Sequence, residues 1–142
     1  VPLQERSAGQ IEAVARGAYV IRDCEGEPEA LILATGSEVE PAVAAAELLA
    51  ERGLRARVVS MPCCEAFDAQ PAAYREAVLP SSVRVRVAVE AGAADAWWKY
   101  VGLDGAVVGM TSFGASAPAG KLFDHFGFTP AHVADTVERL AR

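Results

Sequence analysis

Leu31-Ile-Leu-Ala-Thr-Gly-Ser-Glu-Val39 decides the fold of this 142-residue chain. An unbroken apolar run that ends in Thr-Gly-Ser and passes into helical spacing is a buried strand feeding a tight turn at a helix start. The strand is expected over Ala30 to Ala34. Ser37 is placed to cap the helix, and Glu40, three residues on, would complete a capping box. Val39, Val43, Ala46, Leu49 and Ala50 then recur at helical spacing until Gly53 ends the segment.

Working outward, Gly17 to Asp23 is a short strand, and Cys24-Glu-Gly-Glu-Pro28 is a turn punctuated by Gly and Pro. That connection is too short for a crossover, so strand one should run antiparallel to strand two at an edge. Leu54 to Met61 is a third strand closed by Pro62. Ala66 to Ala77 is helical, with Pro71 opening a second segment. Val83-Arg-Val-Arg-Val-Ala-Val89 alternates before turning continuously apolar, as a strand does that enters the sheet from a solvated end. Ala93 to Val101 is a short helix and Gly105 to Met110 a fifth strand. Ser116 can cap a helix near Pro118, and Thr129-Pro130 opens a terminal helix with Val133, Val137 and Leu140 inward. Strands alternating with helices imply a mostly parallel, five-stranded sheet in a three-layer α/β/α domain.

Composition narrows the function. A hydrophobic content of 52% with 23% charged residues is that of a globular domain, and no apolar segment reaches the ~18 residues of a membrane span. A net charge of -6, with arginines scattered rather than gathered, excludes a general attraction for nucleic acid. Val1-Pro-Leu-Gln-Glu-Arg-Ser7 has neither an initiating Met nor a signal-peptide pattern, so residues 1–16 read as a linker or arm of something longer, ahead of a domain over 17–142. Cys24, Cys63 and Cys64 form no disulfide framework and point to a reducing cytoplasm; the vicinal pair reads as two small loop residues.

Chemistry-bearing residues are sparse. Thr35, Gly36 and Ser37 stand where α/β sheets bind anions, yet they match neither a dinucleotide fingerprint nor a P-loop, so a tight turn and a cap explain them as well. Glu90, with Asp95 a helical turn on, could be a base; its simpler role is to accept a hydrogen bond from backbone or from Trp97 or Trp98. His125 and His132 are unsuited to one metal site and read as helix-end and surface residues. Trp97, Trp98 and Tyr100 form a candidate interface, because adjacent helical residues point about 100° apart and both indoles cannot face one core.

These landmarks resemble the C-terminal domain of bacterial transketolase nearly end to end. The resemblance rests on the order and spacing of Ala15-Arg-Gly-Ala-Tyr-Val20, Ala34-Thr-Gly-Ser-Glu-Val39, Arg57-Val-Val-Ser-Met-Pro62, Phe67-Asp68 and Tyr74-Arg-Glu76. It continues through Val78-Leu-Pro80, Arg86-Val-Ala-Val-Glu-Ala-Gly92, Lys99-Tyr-Val-Gly102, Val108-Gly-Met110, Ser112-Phe-Gly114, Ser116-Ala-Pro118 and Phe126-Gly-Phe-Thr129. Cys63-Cys64 departs from the small hydroxyl residues usual there. The resemblance implies one domain of a homodimeric, cytoplasmic enzyme of the pentose phosphate pathway that moves a two-carbon ketol unit between sugar phosphates. It further implies that the preceding domains hold thiamine diphosphate, a divalent metal (Mg or Ca) and the sugar phosphate. No catalytic, cofactor or metal residue of the family maps onto Val1 to Arg142. The domain is then expected to be structural and inactive alone, or a regulatory module that binds a phosphate-bearing metabolite at Thr35-Gly36-Ser37.

Overall fold

Five strands form one sheet in the order β1-β3-β2-β4-β5: β1 is Tyr19–Arg22, β2 Ala30–Ala34, β3 Ala56–Ser60, β4 Arg86–Glu90 and β5 Ala106–Gly109. The computed structural model describes residues 14–90, 97–109 and 129–142. Helices α1 (Val39–Glu51), α2 (Cys64–Asp68), α3 (Ala72–Val78), α4 (Trp98–Val101) and α5 (Pro130–Ala141) complete the described elements. The expected helix near Pro118 lies outside them.

β2, β3, β4 and β5 run parallel, and β1 is the antiparallel edge strand. Its neighbour, however, is β3 and not β2: Tyr19 stands opposite Ser60 and Val20 opposite Val59. Two strand spacings are only about 10 Å, so residues 23–29 step over β3 easily. Arg57 on β3 fixes the detour by gripping Asp23 with Nε at 3.0 Å and Nη2 at 3.2 Å, while its Nη1 donates to the Ala77 carbonyl at 2.9 Å.

Alternation along the buried strands sorts their side chains onto two faces. Ile32, Val58, Val87 and Val89 face α1 and α5, packing on Ala42, Ala45, Ala46, Leu49, Val133 and Val137. Leu31, Leu33, Val59 and Ala88 face the other way, onto Phe67 of α2, Val78 of α3, Tyr100 and Val101 of α4, and Trp97 just before α4. The result is the expected three-layer α/β/α domain. The alanines of α1 let its axis lie close to the sheet; Val39 and Val43 flank that stripe, and Ala50 points to solvent.

Local details differ from the sequence reading at three points. Ser37 does not cap α1: it sits inside a 3-10 turn, Gly36–Glu38, and its hydroxyl donates to Glu38 Oε1 at 2.8 Å. Of the vicinal cysteines, Cys63 is an extended loop residue as expected, but Cys64 is the first residue of α2; Pro71 separates α2 from α3. Leu140, expected inward, is 36% exposed near the end of α5. The Thr129 cap forms as expected, with Oγ1 accepting from His132 N at 3.2 Å and Pro130 opening α5.

Candidate functional site

α4 splits its aromatic residues between core and surface. Trp97, just ahead of it, is 3% exposed and donates its indole N–H to Glu90 Oε2 at 2.8 Å, the role expected of Glu90. Tyr100 is buried too, its ring edge-to-face with Trp97 at 6.3 Å and tilted against Phe67 at 6.4 Å. Trp98, turned about 100° from Trp97, keeps 48% of its surface exposed. Of the three candidate interface residues, Trp98 is therefore the exposed one, and Trp97 and Tyr100 are buried.

The Tyr100 hydroxyl donates to Asp68 at the end of α2, at 2.9 and 3.0 Å from the two carboxylate oxygens, and Lys99 pairs with the same carboxylate. Burial works to raise the Asp68 carboxyl, but the hydrogen bonds from Lys99 and Tyr100 outweigh it and hold the group below its ordinary range. Burial, reinforced by Asp68 and the neighbouring Cys64 thiol, pushes the Tyr100 hydroxyl far above the usual tyrosine value, so it stays a proton donor. Burial likewise raises the Cys64 thiol.

Beside this cluster lies an open cleft of about 630 Å³, with Asp68, Arg75, Glu76, Ser81, Arg86 and Lys99 among its lining residues. Glu76 is occupied, its Oε2 accepting from Ser81 N at 2.8 Å and Ser81 Oγ at 3.0 Å. Arg86 donates to the carbonyls of Val83 (2.8 Å), Tyr100 (2.7 Å) and Pro80 (2.8 Å), tying β4 to α4. Burial lowers its guanidinium below the ordinary arginine value, and no carboxylate pairs with it among the described residues. The sequence pattern placed Arg86 at a solvated strand end. Its carbonyl partners lie 3, 6 and 14 residues away and leave no periodic trace.

The Thr35-Gly36-Ser37 turn stands at the carboxyl end of β2. Chain order reverses there: from β2 the path goes to β3 on one side, then back across to β4 on the other. Gly36 adopts φ +59, which favours glycine, and Thr35 is extended with no side-chain cap bond. The buried Glu38 carboxylate faces the Ser37 hydroxyl at this turn. Asp95, His125 and the loop from Thr111 to Ser116 lie outside the described residues. His132 is exposed in the first turn of α5. Among the described residues, no group of three or more His, Cys, Asp or Glu is arranged to hold a metal ion, and no helix is long and apolar enough to cross a membrane.

Residues 17–129 match the family model described as the transketolase-like TK C-terminal domain. Over 137 residues the chain is 61% identical to transketolase 1 of Escherichia coli (strain K12) and 58% identical to transketolase 1 of Vibrio parahaemolyticus. Each match covers 96% of this chain and 21% of the relative, so the chain spans about a fifth of those proteins' length. Its fold is similar to that of transketolase from Leishmania mexicana, with a TM-score of 0.84 and 51% identity over 92% of this chain and 19% of that one.

Proposed function

The chain belongs to the transketolase family as its C-terminal domain, and we propose that it acts there as the non-catalytic module of a longer enzyme. One observation carries this reading: nearly all of this chain is matched by about a fifth of each relative, which leaves room for catalytic machinery in the other four-fifths. The whole protein would transfer a two-carbon ketol unit from a ketose phosphate to an aldose phosphate in the pentose phosphate pathway. It would do so in the cytoplasm as a homodimer, with thiamine diphosphate and Mg or Ca held by the domains that precede this one.

The described residues present no group of three or more His, Cys, Asp or Glu that fits the metal. What this chain contributes is shape. The Asp68, Lys99 and Tyr100 contacts fix α4 on α2, Arg86 fixes α4 on β4, and Trp98 is thereby held outward as a rigid contact for a neighbouring domain or subunit. Residues 1–16 would be the arm leading into the domain over 17–142. Removal of residues 17–142 from the full-length enzyme tests the structural role. The expected result is loss of the dimer or of folding stability; an intact dimer with full turnover would contradict it.

Regulatory binding of a phosphate-bearing metabolite at Thr35, Gly36 and Ser37 is the alternative, favoured by the position of that turn where the chain order reverses. Its support is weaker, because the Ser37 hydroxyl already serves the Glu38 carboxylate, which repels an anion. Saturable binding of sugar phosphates would establish this role, and a flat titration would remove it.

A further inference from the structure

The amino ends of β2 and β3 border an open cavity of about 470 Å³, at the end of the sheet opposite the Thr35-Gly36-Ser37 turn. Arg22 and Cys24 line it from β1 and the turn that follows, Ala46 and Ala50 from α1, and Leu54 and Arg55 from the connection into β3. Ala46 and Ala50 are neighbours one helical turn apart, and their short side chains leave the room that longer ones would fill. An apolar floor with a few polar groups at its edge, at this size, is the make-up of a small-molecule site.

Arg22 reaches this cavity through an irregularity in β1. Val20 stands opposite Val59 and packs in the α2–α3–α4 layer, so regular alternation would send Arg22 the same way. A bulge intervenes: Arg22 stands opposite Val58, whose side chain belongs to the α1 face, and Ile21 packs on that face too. One extra residue thus turns a guanidinium under α1. There it makes no hydrogen bond and no ion pair among the described residues. Its polar neighbours are engaged, Asp23 by Arg57, Arg55 by Glu29 and the Glu27 carbonyl, and the Cys24 thiol by the Gly26 carbonyl.

We propose that this cavity is a binding site for a small monocarboxylate with an apolar body. The carboxylate pairs with the Arg22 guanidinium, and the body lies on Ala46, Ala50 and Leu54. A planar fork with free N–H groups matches a carboxylate in a bidentate pair. Asp23 and Glu25, also in the lining, act against a dianionic phosphate by like-charge repulsion.

Cys24 reports occupancy locally, because it lines the cavity, whereas Cys63 lies past the far end of β3. The experiment is alkylation of the full-length protein by N-ethylmaleimide, read by peptide mass analysis across a titration with phenylacetate. At ten times its Kd, phenylacetate is expected to slow modification of Cys24 about tenfold by mass action and to leave Cys63 unchanged. A ligand of about ten heavy atoms should reach half-effect on the order of 1 mM. Arg22→Ala removes a side chain without a partner, so the fold is kept, and it is expected to raise that concentration about tenfold or more, the worth of a hydrogen bond between charged groups. Phenylacetamide has the same shape without the charge and is expected to protect only weakly. Cys24 reactivity that ignores phenylacetate would overturn the site. Protection that survives Arg22→Ala, or that phenylacetamide matches, would overturn the carboxylate pairing, and equal protection by inorganic phosphate would overturn the need for an apolar body. Ketol transfer does not enter the measurement, so the site and the proposed function can fail independently.

Discussion

Gly17 and Cys63 meet backbone to backbone: a Cβ on Gly17 would lie 2.2 Å from the Cys63 carbonyl oxygen and 2.3 Å from Phe67 N. Gly17 also adopts φ +91, a conformation other residues rarely take. The close approach lets the entering chain dock on α2 and aim β1 along β3. Gly17→Ala is therefore expected to destabilise the protein by about 3 kcal/mol or more, through backbone overlap and strain together. Urea unfolding measures this, and a loss below ~1 kcal/mol would show that the entry is not fixed here.

Trp97→Phe keeps most of the buried ring but deletes the 2.8 Å hydrogen bond to Glu90. The expected cost is about 1.5–3 kcal/mol, the value of a hydrogen bond to a charged group. Trp98→Ala, at an exposed position, is expected to change the stability of the domain itself by no more than about 0.5 kcal/mol. Equal losses from the two substitutions would contradict the division of α4 into an inward and an outward aromatic residue.

Asp68 makes the stability of the α2–α4 contact depend on acid. Folding lowers its carboxyl below the ordinary value of 3.8, so its contribution is complete above that value and drains away as pH falls through the folded one. The stability gap between the unaltered protein and Asp68→Asn should be constant near neutrality and close below about pH 4. A gap that widened in acid would mean the carboxylate is not held ionised by Lys99 and Tyr100.

The two adjacent cysteines should react at different rates. Cys63 is exposed, whereas Cys64 is half-buried, with its thiol pushed up first by burial and then by the Asp68 charge. Iodoacetamide at pH 8 followed by peptide mass analysis is expected to modify Cys63 well before Cys64. The reverse order would place the Cys64 thiol outside the Tyr100–Asp68 cluster.

The parts of this fold legible in the sequence are those governed by local pattern. Ala30 to Ala34 reads as a strand because five apolar residues precede a Gly turn, and Thr129-Pro130 reads as a helix start because both residues act within their own first turn. The neighbour of β1 was not legible, since a seven-residue connection permits either a hairpin or a step over β3, and the choice is made by Arg57 reaching Asp23 across 34 residues. Ser37 misled for a related reason: it lies inside a 3-10 turn ahead of α1, where its hydroxyl donates to the adjacent Glu38 carboxylate. The candidate interface was legible only as a set of aromatic residues. Which of Trp97 and Trp98 faces out depends on Glu90, seven residues from Trp97, holding the former inward.

The central claim is that this domain is an inert part of a ketol-transferring enzyme. Its most direct test is an assay of ketol transfer from a ketose phosphate to an aldose phosphate, with thiamine diphosphate and magnesium supplied, comparing the 142-residue chain with the full-length protein that carries it. The account predicts turnover by the full-length protein and none by the chain alone. Turnover by the isolated chain, or its absence from the full-length protein, would contradict it.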